Sequence, residues 1–290
     1  MKYTYTRDDS IHDDSARVSL AALAKKDEGT KKPIHTFDSH DALMMALEDA
    51  CKGHSGIDQR VLNMIELYDR TNFFDWESVP EPIRKQLGTP YCFMALVFAE
   101  GQTIPSPHFV LASLSSLDLR DGQKILEIGA GSGYHITIAA LVAGQHTRAY
   151  STEVRPSLTK LARETIATLA LDDRVRVIQA EELGLPSEAP FDRIYTTVSA
   201  RTTDQVETLL DQLHVGGLLR LPIAKYGNVK DKSQSRLWEP GMDIDHSDIY
   251  VNDPSRGFVR VASFLFRKNS ETEVTYANTV KGALGPLLVE

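Results

Sequence analysis

The sequence predicts an α/β protein built on a Rossmann-like, doubly wound and mostly parallel sheet, with an extension at each end of the chain. The first observation is a short apolar run at 125–128, followed by a glycine-rich turn and an apolar, helix-like run at 136–143. The second is a regular alternation of strand-like and helix-like stretches across 109–222. The third is a composition of 42% hydrophobic and 25% charged residues over 290 residues, enough for a sizeable core.

Charge and cysteine content narrow the classes of function. The net charge of −8 argues against a general grip on nucleic acid, which needs clustered Lys and Arg. Cys51 and Cys92 are too few for a disulfide framework or a metal cluster, so we expect no bound metal and two reduced thiols in a cytoplasmic protein. Residues 1–10 lack the apolar centre of a signal peptide, and no apolar run reaches the roughly 18 residues that span a membrane.

Composition divides the chain into three parts. Residues 1–36 are rich in Asp, Lys, Thr and Ser, which predicts a polar extension, mobile or laid over the domain surface. Residues 37–223 are predicted to form the main domain, including its N-terminal helices. Residues 224–290 are predicted to form a second extension that packs on the domain or on a partner, with a strand at 258–266.

The elements of the main domain can be placed in order along the chain. Asp38 or Ser39 is suited to cap a first helix, and Asp58 to cap a second. Three prolines predict a loop-rich region at 73–91. The remaining elements are predicted as strands at 93–99, 125–128, 147–152, 175–179, 193–198 and 218–222, helices at 109–117, 136–143, 157–169 and 204–213, and a turn at 216–217.

Three glycines, Gly129, Gly131 and Gly133, occupy every second position between a predicted strand and a predicted helix. Glycine permits φ > 0 and leaves room for a ligand against the main chain, so this order of elements indicates a nucleotide site. Glu153 ends the next predicted strand, at roughly the 20-residue offset of an acid that binds ribose hydroxyls. Because ligands of parallel sheets bind beyond the C-terminal strand ends, the following strand ends are expected to line the same site. The alternative is a tight turn that binds no ligand.

Several motifs in one order resemble the protein-L-isoaspartate O-methyltransferase family. The stretch 101–108 reads G-Q-T-I-P-S-P-H, and that family carries G-Q-T-I-S-x-P-H upstream of its cofactor motif. The stretch 126–134 reads L-E-I-G-A-G-S-G-Y, with the G-x-G-x-G spacing of S-adenosylmethionine-dependent methyltransferases. The stretches 183–192 and 213–217 also match. The resemblance covers roughly residues 56–223 and implies a class I methyltransferase fold with S-adenosyl-L-methionine as the methyl donor.

The resemblance also implies a set of site residues. The residues expected to be catalytic, by positioning the methyl acceptor, are Ser106, Thr103 and His108. Those expected to bind the cofactor are Ile104, Glu127, Gly129, Ala130, Gly131, Gly133, Tyr134, Glu153, Val154, Ala180, Glu181 and Thr197. Among these, Glu153 is assigned to the ribose and Glu181 to the adenine amino group, with a solvated loop charge as the alternative for Glu181.

The substrate side departs from the family pattern. The family's serine after T-I is Pro105 here, although Ser106 follows at once, and a mostly apolar stretch at 91–100 replaces an acid-rich and proline-rich one. The expected function is O-methylation of a carboxylate, most simply an isoaspartyl residue in a protein or peptide, with neither nucleic acid nor membrane as a partner. The alternatives are a methyltransferase with a small-molecule or dedicated peptide acceptor, and a cofactor-binding module with weak or no turnover. The oligomeric state is left open.

Overall fold

The computed structural model describes residues 2–8, 36–200, 202–224 and 261–278 of the chain. These residues belong to two compact units. The first, here called the glycine-loop unit, comprises Asp13–Glu181, and the second, the C-terminal unit, comprises Met1–His12 and Glu182–Glu290.

Helices and strands alternate through most of the described ranges. The helices are α1 (His40–Cys51), α2 (Gln59–Leu67), α3 (Glu81–Leu87), α4 (Pro107–Ser115), α5 (Tyr134–Ala143), α6 (Pro156–Thr168) and α7 (Thr203–Asp211). The strands are β1 (Thr4–Arg7), β2 (Leu96–Ala99), β3 (Gln102–Ile104), β4 (Lys124–Ile128), β5 (Arg148–Glu153), β6 (Val175–Gln179), β7 (Phe191–Thr196), β8 (Leu213–Ala224), β9 (Val261–Lys268) and β10 (Glu273–Asn278).

Three parallel strands form the centre of the glycine-loop unit. β4 pairs with β5 and β5 pairs with β6, both in parallel and in continuous register, from Lys124↔Arg148 in the first pair and from Ala149↔Val175 in the second. Ile125 and Leu126 are completely buried in β4, as expected for a strand covered on both faces. Helices α5 and α6 connect these parallel strands, so the C-terminal ends of β4 and β5 lie side by side. The candidate site lies at these two strand ends.

The N-terminal part of this unit contains more helix than its prolines predict. The caps of α1 and α2 are confirmed, with Ser39 accepting from Ala42 N and Asp58 accepting from Arg60 N. The loop-rich prediction for 73–91 is wrong at α3, which begins directly after Pro80 and has a second proline in its first turn. Proline is tolerated there because the first N–H groups of a helix have no intrahelical partner.

The C-terminal unit combines parallel and antiparallel pairs. β7 and β8 run parallel, β8–β9 and β9–β10 run antiparallel, and β1 pairs in parallel with β10. The turn predicted at 216–217 is wrong, because both glycines lie inside β8. Gly216 has φ +88°, and the register against β7 shifts between Phe191 and Arg193, so the glycines make an irregularity within a long strand.

The predicted N-terminal extension begins with a strand that its polar composition did not reveal. β1 is held to α7 by Lys2, whose Nζ lies 2.6 Å from an Asp211 carboxylate oxygen, and by the Tyr3 hydroxyl, which donates to the same oxygen at 2.6 Å. The rest of the predicted extension, residues 9–35, lies outside the described residues, as does most of 225–290. The boundaries predicted at 36–37 and 223–224 stay predictions.

The predicted α/β class with a mostly parallel sheet is confirmed by these elements. Within the described ranges, no helix is long and apolar enough to cross a membrane. The same ranges contain no group of three or more His, Cys, Asp or Glu side chains arranged to hold a metal ion.

Candidate functional site

The glycine loop between β4 and α5 is held by main-chain hydrogen bonds to the neighbouring strand. The N–H groups of Gly129 and Ala130 both donate to the carbonyl of Thr152, at 2.9 and 3.1 Å. Gly129, Gly131 and Gly133 have φ values of +96°, +53° and +82°, a region that side chains rarely adopt. A Cβ on Gly133 would make only an ordinary contact with the backbone of Ala162 in α6, at 3.5 Å, so its positive φ, and not crowding, favours glycine at this position.

Glu153 lies at the end of β5 and connects the glycine loop to the start of α6. Its Oε2 accepts from the N–H of Gly131 at 3.0 Å, and its Oε1 accepts from the N–H of Arg155 at 3.1 Å. The side chain is 8% exposed. A carboxylate offers about four lone-pair sites, so two remain for a ligand. The predicted pairing of the glycine motif with this acid is therefore present as a direct contact.

The residues flanking Glu153 form an open edge. The N–H of Ala180, just after β6, donates to the Glu153 carbonyl at 3.1 Å, which brings the end of β6 to the same place. Val154 is 60% exposed, an unusual value for a branched apolar side chain in the turn between β5 and α6. Glu181 is exposed. The structure thus brings together Gly131, Glu153 and Ala180, with the apolar Val154 beside them.

Glu127 is buried beneath the loop. It is completely inaccessible to solvent, and its Oε2 accepts from the Ser151 hydroxyl at 2.6 Å. Its Oε1 lies 3.7 Å from Nδ1 of His135, which is 2% exposed in α5. These contacts join β4 to β5 and α5 next to the glycine motif. Sequence reasoning missed both Ser151 and His135, since neither belongs to a recognisable spacing.

A β-hairpin lies against the glycine loop. β2 and β3 pair antiparallel, Leu96 with Ile104 and Val97 with Thr103. Ile104 is completely buried, so its side chain belongs to the core, whereas Thr103 is half-buried. The Cζ atom of Phe98 lies 3.9 Å from the Cβ position of Gly131.

The turn of this hairpin is bonded to the end of β5. Both Glu100 and Gly101 have positive φ, +49° and +70°, as a two-residue hairpin turn requires. Glu100 pairs with Arg155 at 3.2 Å and accepts from the hydroxyl of Ser157, and these hydrogen bonds lower the pKa of its carboxyl. The hairpin is thereby attached next to Glu153 through a second acid that sequence reasoning did not assign.

Ser106 and His108 lie at the start of α4. Ser106 is 5% exposed, and its Oγ is 3.4 Å from Nε2 of His108. Burial and then the positive charge of Arg70 lower the pKa of His108 to about 4, so the imidazole is neutral near neutral pH. Nδ1 of His108 is buried without a hydrogen-bond partner in the described ranges. Ser106 and His108, the two predicted acceptor-side residues, are therefore in contact. Because the imidazole of His108 is neutral near neutral pH, it does not act there as a cationic proton donor.

Two predicted cofactor residues have placements that limit their roles. Tyr134 is 1% exposed and its ring packs edge-on against Phe73 at 4.9 Å, so only its main chain is available to a ligand. Burial raises the pKa of its hydroxyl, which has no partner in the described part of the chain. Thr197 follows directly after β7 in the C-terminal unit and is half-buried.

Comparison with known proteins identifies the relatives of this chain. The family model of protein-L-isoaspartate(D-aspartate) O-methyltransferases matches residues 39–246. Protein-L-isoaspartate O-methyltransferase 1 of Archaeoglobus fulgidus is 34% identical over 179 residues, 62% of this chain and 78% of the relative. The protein-L-isoaspartate O-methyltransferase of Methanosarcina mazei is 30% identical over 226 residues, 76% of this chain and 88% of the relative.

Solved structures resemble the chain in fold. A Plasmodium falciparum protein named as a protein-L-isoaspartate O-methyltransferase, crystallised with S-adenosyl-L-homocysteine, has a TM-score of 0.59 at 19% identity. The match covers 86% of this chain and 100% of that one. A second structure, named protein-L-isoaspartate O-methyltransferase, has a TM-score of 0.57 at 21% identity and covers 85% of this chain and 67% of that one. At these identities the likeness concerns the fold.

Proposed function

Because the chain belongs to the protein-L-isoaspartate(D-aspartate) O-methyltransferase family, we propose that it transfers a methyl group to the carboxylate of isoaspartyl residues in proteins or peptides. It is an S-adenosyl-L-methionine-dependent methyltransferase. The observation that carries the donor half of this proposal is the bond between the Gly131 N–H and the Glu153 carboxylate at adjacent strand ends.

The residues of the donor side fit a nucleoside ligand. The glycine loop leaves its main chain open, since among the described residues a Cβ on Gly131 would meet only Phe98, at 3.9 Å. Glu153 has acceptor capacity left for two ribose hydroxyls, and the exposed Val154 beside it offers an apolar surface to an adenine ring. We assign Gly129, Ala130 and Gly133 to the cradle, the main chain of the glycine loop that holds the cofactor. We assign Ala180 and Glu181 to binding the edge of the adenine ring. In this assignment Glu127, Ile104 and Tyr134 shape the cradle from within the fold.

Methyl transfer to a carboxylate depends on aligning the acceptor oxygen with the methyl group more than on transferring a proton. S-adenosyl-L-methionine supplies a methyl group on a positively charged sulfur, which keeps the electron pair when the acceptor oxygen bonds to the carbon. An isoaspartyl carboxylate is ionised near neutral pH, so no general base is required. The chain's task is to hold that carboxylate in line and to exclude water. We assign the hydroxyls of Ser106 and Thr103 to this positioning, with neutral His108 orienting Ser106.

The apolar stretch before G-Q-T-I has a structural explanation. Phe93, Leu96 and Phe98 are 9%, 1% and 3% exposed, so they form core and not an open pocket. Since these side chains do not line an open pocket, they do not support a dedicated small-molecule acceptor, and a protein or peptide substrate is favoured. The net charge of −8 supports an acceptor other than nucleic acid, and the free thiols of Cys51 and Cys92 support a cytoplasmic location.

The proposal is tested by supplying the protein with labelled S-adenosyl-L-methionine and two peptides that differ only in an aspartyl or isoaspartyl linkage. Base-labile label is expected in the isoaspartyl peptide alone. A Gly131→Ala variant provides the background. Label in neither peptide, with S-adenosyl-L-homocysteine still bound in calorimetry, would instead leave a cofactor-binding module.

A further inference from the structure

Arg70 is a buried cation whose guanidinium hydrogen bonds all go to one segment of the chain, residues 90–105, and mostly to its main chain. It is 4% exposed and lies in the 3₁₀ turn Arg70–Phe73 after α2. Its guanidinium donates to the carbonyls of residues 94, 90, 92 and 105, at 2.6, 2.8, 3.2 and 3.3 Å. Within the described ranges its guanidinium makes one further hydrogen bond, to the Cys92 sulfur at 3.8 Å, and no carboxylate accepts from it.

The four carbonyls bracket the whole acceptor-side segment. The first, on Pro90, precedes the β2–β3 hairpin, and the last, on Pro105, immediately precedes Ser106. One side chain therefore closes the base of a loop that contains the hairpin beside the glycine loop. A guanidinium presents five N–H donors in a rigid fork, whereas an ammonium is a compact point charge that cannot keep this spacing.

Arg70 also acts on the charge state next to Ser106. Burial and then the positive charge of Arg70 lower the pKa of His108, which keeps the imidazole neutral beside the Ser106 hydroxyl, 3.4 Å from Nε2. The groups that face His108 are Arg70, Ser106 and the ring of Phe93, whose centroid lies 5.8 Å away. The guanidinium is thus connected to the same hydroxyl by two routes, through the Pro105 carbonyl and through the imidazole.

We propose that Arg70 is a positioning residue for methyl transfer, holding the main chain of 90–105 so that the Ser106 hydroxyl and His108 are aligned for the acceptor carboxylate. This inference rests on the proposed function for its kinetic consequence. A second part of the inference does not depend on which acceptor is used. It is that one guanidinium fixes the path of main chain 90–105 and the protonation state of His108.

The test compares Arg70→Lys and Arg70→Met with a matched control, Arg84→Lys. Arg84 likewise donates to a main-chain carbonyl, that of Val79 at 2.9 Å, but lies outside the acceptor-side segment. For Arg70→Lys we expect kcat/KM for the isoaspartyl peptide to fall about tenfold or more, since several charge-assisted bonds lose their geometry. The dissociation constant of S-adenosyl-L-homocysteine should change less than twofold, and Arg84→Lys should change neither quantity.

A second readout does not need turnover. Imidazole NMR signals, with His108 assigned through a His108→Asn variant, should show the pKa of His108 rising in Arg70→Met and staying near its wild-type value in Arg70→Lys. Equal loss of peptide methylation and homocysteine binding in Arg70→Lys would indicate a general folding defect and overturn the proposal. Unchanged kcat/KM together with an unmoved His108 signal would overturn it as well. A wild type that binds the product but methylates no isoaspartyl peptide refutes the proposed function, and the NMR comparison then still decides the role of Arg70.

Discussion

Replacing Gly131 by alanine separates backbone strain from ligand binding. Gly131 has φ +53°, and among the described residues its added Cβ would make only an ordinary contact with Phe98 at 3.9 Å. Alanine at this position therefore destabilises the folded state through backbone strain and not through a steric clash. Alanine in the left-handed region costs about 1–2 kcal/mol, which lowers the melting temperature by about 2–4 °C for each kcal/mol in a domain of this size. In the proposed function the cofactor lies against the main chain of the glycine loop, and the new methyl group projects from that main chain. We therefore expect affinity for S-adenosyl-L-homocysteine to fall more than tenfold, on the order of 1.4 kcal/mol.

Gly122→Ala is the matched control for this substitution. Gly122 has φ +82° with nothing within 4 Å of its Cβ position, and it lies in the exposed turn before β4. Both variants should lose similar stability in thermal unfolding, while calorimetry should show weakened binding only for Gly131→Ala. Equal binding by the two variants would refute the placement of the cofactor against the glycine loop.

Three further predictions follow from the same contacts. Glu153→Gln should weaken S-adenosyl-L-homocysteine binding about 10- to 100-fold in calorimetry, because charge-assisted hydrogen bonds are replaced by neutral ones; an unchanged affinity would contradict the ribose assignment. Glu100→Gln should speed dissociation of S-adenosyl-L-homocysteine roughly two- to fivefold by loosening the hairpin from Arg155, and stopped-flow measurements in high salt should narrow the difference. Because His108 has its pKa lowered to about 4 when folded, the unfolded chain takes up its proton first as the pH falls below about 6.5. Folded-state stability should therefore drop by up to about 3 kcal/mol between pH 6.5 and 4, and urea titrations of His108→Asn should show a smaller drop.

The placement of the glycine loop beside Glu153 could be predicted from sequence because its signals are local. Glycines at every second position require positive φ, and an acid at the end of the next parallel strand must lie beside them once the strands pair. The contact between Gly131 and Glu153 follows from spacing and topology alone. Capping is local in the same way, which explains why the sequence narrows the first cap to Asp38 or Ser39, where the structure has Ser39, and predicts Asp58 as the second.

Elements that depend on distant partners could not be predicted. β1 has a polar sequence, and it forms a strand because Thr4 pairs with Glu273 and Lys2 contacts Asp211, at separations that no local pattern encodes. The turn predicted at 216–217 follows from ordinary glycine preferences, yet both glycines lie inside β8, between its pairs with β7 at Leu213 and at Leu218, and β9 pairs with it from Leu218 onward. In both places tertiary pairing overrode local propensity.

The acceptor half illustrates why a missing motif residue need not remove a function. Proline at 105 has lost the family's hydroxyl, but it keeps a carbonyl, and Arg70 bonds that carbonyl. The next hydroxyl along the chain, on Ser106, is buried and within 3.4 Å of a neutral imidazole that the same Arg70 helps to keep neutral. Because these constraints act through main-chain carbonyls, they leave no side-chain pattern in the sequence. If they hold the hydroxyl in place, the substitution at Pro105 moves the positioning group by one residue, and Ser106→Ala should then reduce kcat for the isoaspartyl peptide while leaving homocysteine binding unchanged.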